Sequence, residues 1–161
     1  MLFKIIENER FCLKDFCKKN NKIKWKGGLF LGKLVALVVD DSQTARELLI
    51  DWLLKSDYEV LEAENGLEAF KKVESFTRPI DLILTDYNMP EMTGIEFLYR
   101  LQLKGLALET AKVLISTEKP NVDAIRTAEI KNFKCWIVKP VKEKILVAIL
   151  KKLEKDREKE S

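Results

Sequence analysis

The sequence predicts a doubly wound α/β domain, with a parallel five-stranded sheet covered on both faces by helices. Two observations lead there. Short apolar runs such as Leu34–Val39 and Leu82–Leu84 read as strands buried on both faces, and stretches with apolar residues at helical spacing alternate with them. Five such alternations require right-handed crossovers, which makes the strands parallel and gathers their carboxyl ends along one rim. At 161 residues, 47% hydrophobic and 34% charged, the chain has room for one domain with a proper core, and two would be cramped.

The first strand is LVALVV, ending in Asp40-Asp41; Ser42 is then a good N-cap, and Ala45, Leu48, Leu49, Trp52 and Leu53 recur at helical spacing. Tyr58 to Glu62 alternates as a second strand, Asn65-Gly66 predicts a turn, and Leu67, Phe70 and Val73 give the next helix its apolar stripe. The third strand closes on Asp86, where Asn88 and Pro90 predict a loop. Thr93 opens a helix carrying Ile95, Leu98, Leu101 and Gln102, and Lys112 to Ser116 reads as the fourth strand. Asn121 to Ile130 predicts a weaker helix, and Lys134 to Val138 a fifth strand that stops at Lys139-Pro140. Ile145, Leu146, Ile149, Leu150 and Leu153 mark a last helix, whose end, Lys151 to Ser161, dissolves into alternating charge. The domain is thus expected over 34–156, with a charged tail at 157–161.

Residues 1–33 stand apart. They carry nine Lys or Arg and three acids, within a chain whose net charge is +3, so the remainder is mildly acidic. Phe3, Ile5, Ile6, Phe11, Leu13 and Phe16 hint at an amphipathic helix, and a short or poorly ordered helix is the expectation for this extension. A second reading concerns the gene. Lys26-Gly27-Gly28 can be encoded by a purine-rich stretch resembling a bacterial ribosome-binding site, which makes Leu31 an alternative start. A native mass including Met1 to Phe30 would contradict it.

Composition removes several classes of function. A mildly acidic domain gives no ground for nucleic-acid binding, which usually needs a basic face. The longest apolar stretch, Leu34–Val39, is far short of the ~20 residues a membrane-spanning helix needs. Glu7, Glu9, Arg10 and Lys14 break up the N-terminus where a signal peptide would be apolar, so the cytoplasm is the expected compartment and no membrane is involved. Cys12, Cys17 and Cys135 lack metal-site spacing and read as free thiols. The chain has no histidine, which removes Ser-His-Asp and Cys-His catalysis and histidine zinc sites. Its chemistry must run on carboxylates, hydroxyls and lysine.

Parallel strands place Asp40, Asp41, Asp86, Ser116 and Lys139 on the same rim, each at a strand's carboxyl end. Singly, each has an ordinary structural reading as a cap, turn or loop residue. Jointly, three carboxylates, a hydroxyl and a lysine from four strand ends have no folding reason to coincide. Close carboxylates repel unless a cation sits between them, and an all-oxygen cluster suits Mg²⁺. An ionised Asp86 beside Mg²⁺ and Lys139 can attack phosphorus in line, giving an acyl phosphate. No P-loop or dinucleotide fingerprint appears, which argues against a bound nucleotide as the phosphoryl source.

These residues resemble the receiver domains of two-component response regulators, in particular the stand-alone CheY-like chemotaxis regulators. VVDDS, LTDYNMPEMTG, LISTE and IVKP occur in the family's order over about Leu34 to Leu153. The resemblance implies a flavodoxin-like three-layer sandwich with strand order 2-1-3-4-5. It implies Asp86 as phosphoacceptor, Asp40 and Asp41 as the acidic pair holding Mg²⁺, and the backbone carbonyl of Asn88 as a further metal ligand. Ser116 and Trp136 correspond to the switch hydroxyl and aromatic, and Lys139 to the family's lysine, with a cis bond expected before Pro140. Asn88 and Glu118 match the chemotaxis-like choice at positions that tune dephosphorylation. Thr117, Trp136 and Lys131-Asn132 depart from the commonest residues, the last standing where Gly-Ala is frequent.

The reading implied is a monomeric phosphorylation switch, self-phosphorylating and autodephosphorylating rather than turning over substrate. Its partners would be a CheA-like sensor histidine kinase and a protein target such as a flagellar motor switch component. A phosphorelay intermediate, with Asp86 donating to a histidine phosphotransfer protein, is an alternative. A Mg²⁺-dependent phosphatase forming the same aspartyl phosphate ranks lower, because its second acid would fall at Asn88, which cannot act as acid or base.

Overall fold

The computed structural model describes residues 5–6, 33–119 and 129–160. The strands are β1 Val35–Val39, β2 Glu59–Ala63, β3 Leu82–Asp86, β4 Ala111–Ser116 and β5 Phe133–Val138. The helices are α1 Gln43–Lys55, α2 Gly66–Ser75, α3 Gly94–Leu103 and α4 Glu143–Glu160. Asn121 to residue 128 of the expected weaker helix lie outside the described residues.

The five strands pair in parallel in the order β2-β1-β3-β4-β5, as the resemblance implied. Period-2 alternation explains why both faces of the sheet are covered. Val35, Leu37, Val39, Ile83, Leu114 and Trp136 join one core with Ala69, Val73, Leu98 and Leu101 of α2 and α3. Their neighbours Ala36, Val38, Leu82, Leu84, Val113, Ile115 and Ile137 join a second with Leu49, Trp52 and Leu53 of α1 and Leu146, Ile149 and Leu150 of α4. Each large side chain so buried contributes about 1.5–3 kcal/mol, while β2, at the sheet edge, keeps Glu59 and Glu62 exposed.

Ser42 and Thr93 cap α1 and α3 as expected, Thr93 in a reciprocal capping box with Glu96. Asn65 differs from expectation. Rather than turning the chain with Gly66, its side chain accepts from the Glu68 amide at 2.8 Å and caps α2. The charged end of the last helix also differs, because α4 continues to Glu160. Glu154 with Arg157 and Asp156 with Lys159 place opposite charges three apart, and Arg157 pairs with Asp81 beside β3.

Asn132 has φ 55°, in the left-handed region that glycine favours, and asparagine is among the few other residues that tolerate it. At the N-terminus, Ile5–Ile6 form a two-residue parallel strand on the free side of β5, where the apolar spacing predicted a helix. Two β-branched residues find an unpaired edge there, and the rest of the extension before Lys33 lies outside the described residues.

Cys135 is a free, buried thiol, and burial pushes it up to about 12, so little thiolate forms at neutral pH. Cys12 and Cys17 lie outside the described residues. Iodoacetamide is therefore expected to leave Cys135 unmodified in the native protein and to alkylate it in urea, read by peptide mapping. Rapid alkylation without denaturant would contradict this burial.

Candidate functional site

β1 pairs with β2 on one side and β3 on the other, so the winding reverses at β1. The crevice at the carboxyl ends of such strands is where doubly wound sheets bind ligands. Asp40 follows β1 and Asp86 ends β3, and both are buried. Lys139, just past β5, reaches between them: its Nζ donates to Asp86 Oδ1 at 2.7 Å and to Asp40 Oδ2 at 3.0 Å. The bond from Lys139 to Pro140 is cis, as expected.

Each group is held from behind. Asp40 Oδ1 accepts from the Ser42 amide at 2.9 Å, and its carbonyl accepts from the Arg46 guanidinium at 2.7 Å. The Lys139 amide donates to the Ser116 carbonyl at 2.7 Å, which ties the lysine to the end of β4. Ser116 is fully buried one residue beyond the Asp86–Ile115 register, and its Oγ accepts from the Glu118 amide at 3.1 Å. Asp41, Asn88 and Glu118 are exposed.

The electrostatics show a shortage of positive charge. Burial raises the Asp86 carboxyl above its usual range; the Lys139 ammonium opposes this, while the charges of Asp40 and Asp41 add to it. For Lys139, burial favours the neutral amine, but hydrogen bonds to Asp86 and Asp40 outweigh it and hold the ammonium above the ordinary lysine value. Among the described residues no three acidic or cysteine side chains converge as a closed metal cage. The expected acidic trio is instead a buried pair bridged by lysine, with Asp41 at the surface. Those donors fit Mg²⁺, which takes oxygen ligands, keeps several waters and needs only one or two carboxylates.

Trp136 is 2% exposed. Its ring lies 4.9 Å from that of Tyr87 at 45°, and its Nε1 donates to the Glu118 carbonyl at 3.3 Å. A contact path therefore runs from Asp86 through its neighbour Tyr87 to Trp136 and back to the loop after Ser116. Tyr87 was not among the expected site residues; its position next to Asp86, with a second aromatic already expected nearby, was the available signal. Gly94 was also missed. Its amide donates to the Tyr87 carbonyl at 2.9 Å, and buried Met89 and Met92 pin the intervening loop that carries Asn88.

Residues 36–151 match the model of the response regulator receiver domain, and the chain belongs to that family. Its relatives make it a CheY-like member. Chemotaxis protein CheY1 of Helicobacter pylori strain J99 is 36% identical over 111 residues, which are 68% of this chain and 88% of that protein. Chemotaxis protein CheY of Listeria monocytogenes is 37% identical over 120 residues, 73% of this chain and 97% of that one. Among solved structures, response regulator protein TrrA of Thermotoga maritima, in complex with Mg²⁺ and BeF, is 30% identical with a TM-score of 0.63, covering 74% of this chain and 98% of that one. Membership supports a two-component phosphoacceptor role. No helix among the described residues is long and apolar enough to cross a membrane.

Proposed function

We propose that this chain is a phosphorylation switch whose phosphoacceptor is Asp86, charged by a CheA-like sensor histidine kinase in the cytoplasm. The observation that carries the reading is the buried Asp86 carboxylate held with Asp40 by Lys139 on the carboxyl-terminal rim. Asp86 supplies the attacking oxygen: its O–P bond forms as the N–P bond of the kinase phosphohistidine breaks, and the imidazole leaves as the departing group. The Lys139 ammonium stays against the oxygens as their charge redistributes, and the Ser116 hydroxyl turns to follow the phosphoryl group. Asp40, Asp41, Asp86 and the Asn88 carbonyl would hold Mg²⁺. When bound, it supplies neutralisation of the phosphoryl oxygens. The Mg²⁺ and BeF recorded with TrrA support that assignment.

The modified site biases Tyr87 and Trp136, and the signal leaves by binding a protein target, with a flagellar motor switch component the first candidate given the chemotaxis relatives. Exposed Asn88 and Glu118 flank the site and set the lifetime of the acyl phosphate. Incubation with acetyl phosphate and Mg²⁺ tests the reading by intact mass. The wild type is expected to gain one phosphoryl group and Asp86→Asn none; an equal gain in both would overturn it.

A further inference from the structure

We propose that Arg46, braced by Glu62, is a positioning residue for the acidic pair: it fixes the peptide that joins Asp40 to Asp41 and so holds both carboxylates in place for the cation, a role that rests on the reading of that pair as a Mg²⁺ site. β1 pairs with β2 and β3 only as far as Val39, opposite Ala63 and Thr85. Asp40 lies one residue further on, fully buried, with its amide still donating to the Ala63 carbonyl at 3.2 Å. Its own carbonyl is past the ladder, where a buried oxygen without a donor is costly. Arg46 Nη1 supplies that donor at 2.7 Å.

Because a peptide unit is planar, holding the Asp40 carbonyl also sets the direction in which Asp41 leaves β1. Asp41 is exposed, so its place depends on the backbone that carries it. The arginine is itself tied down. Its amide donates to the Ser42 carbonyl at 2.9 Å in the first turn of α1, and its Nε donates to Glu62 Oε2 at 2.9 Å, which leaves the side chain 13% exposed. Glu62 stands on β2 opposite Val38, two residues before Asp40. The planar guanidinium lets both side-chain bonds run from one rigid fork, which a lysine ammonium cannot reproduce. Arg46 thus acts through the backbone of the acidic pair, and Glu62 acts through Arg46, as outer partners orient the groups that hold a metal.

Calorimetric titration of Mg²⁺ into the unphosphorylated full chain tests this, alongside the Mg²⁺ dependence of labelling by acetyl phosphate. Arg46→Lys keeps the charge but loses the fork, and is expected to weaken Mg²⁺ binding about tenfold, as is Glu62→Ala. Glu62→Gln keeps an acceptor for Nε and should bind within about twofold of the wild type. In Arg46→Lys the Mg²⁺ concentration for half-maximal labelling should rise by the same factor, while the rate at saturating Mg²⁺ stays near that of the wild type. The Glu62 side chain is 55% exposed, so its substitutions test the brace in a folded protein whatever Arg46→Lys costs in stability. Wild-type affinity in Arg46→Lys and Glu62→Ala would overturn the proposal. So would an equal loss in Glu62→Gln and Glu62→Ala, which would make the effect one of charge, or a lower maximal labelling rate with the half-saturating Mg²⁺ unchanged. A wild-type protein that binds no Mg²⁺ would overturn the reading of the site itself, and this proposal with it.

Discussion

Gly94→Ala is expected to cost about 3 kcal/mol of stability and to slow acetyl-phosphate labelling of Asp86 roughly tenfold or more. Helix propensity alone predicts the opposite, since alanine is favoured over glycine by about 1 kcal/mol inside a helix. The site decides the sign. A Cβ at residue 94 would overlap the Asp86 carbonyl oxygen and come within 2.9 Å of Leu114 Cδ2. The first obstacle is backbone and cannot swing aside, so either α3 or the end of β3 must move. Such a shift displaces Asp86 from Lys139, which now lies 2.7 Å away. Urea denaturation and the labelling rate check the two effects separately, and a variant with wild-type values in both would contradict the close approach.

Lys112→Met is expected to destabilise by about 3 kcal/mol at neutral pH. Lys112 is 1% exposed, and its Nζ donates to the carbonyls of Ala107 at 2.7 Å, Thr110 at 2.9 Å and Lys131 at 2.9 Å. It thus ties the loop after α3 to the approach to β5. Methionine keeps most of the buried stem and removes the donors, leaving those carbonyls without them. Burial pushes the Lys112 ammonium down to about 8. Between about pH 8 and the ordinary lysine value, the unfolded chain therefore binds more protons than the folded one, and stability rises with pH, by about 3 kcal/mol at most. The buried Cys135 thiol, raised to about 12, acts in the opposite sense above pH 9, so the wild-type minus variant difference isolates Lys112. That difference should grow from pH 8 to 10 in urea titrations; a constant or shrinking difference would contradict it.

The strands were legible because each apolar run sits on a sheet with two buried faces, and Asp40, Asp86, Ser116 and Lys139 because parallel strands share one rim. What escaped depends on contacts between distant segments. Ile5–Ile6 has no local period that marks a strand; only the open side of β5 makes it one. A lysine opening a strand reads as a solvated end, and Lys112 is buried only because two loops close over it. Gly94 and Tyr87 acquire roles through the return of α3 onto the end of β3, a packing that spacing does not encode. The extent of α4 was hidden because its charge alternation resembled a solvated tail, until Arg157 met Asp81.

Asp86 is the proposed nucleophile. Borohydride reduces an aspartyl phosphate to homoserine, so treating the protein with acetyl phosphate, then borohydride, then mapping its peptides locates the acyl phosphate by residue. Homoserine at position 86 with Mg²⁺, and its loss when a chelator replaces the metal, is the predicted result. Homoserine at Asp40 or Asp41 instead, or none at Asp86 in a protein that has gained a phosphoryl group, would contradict it.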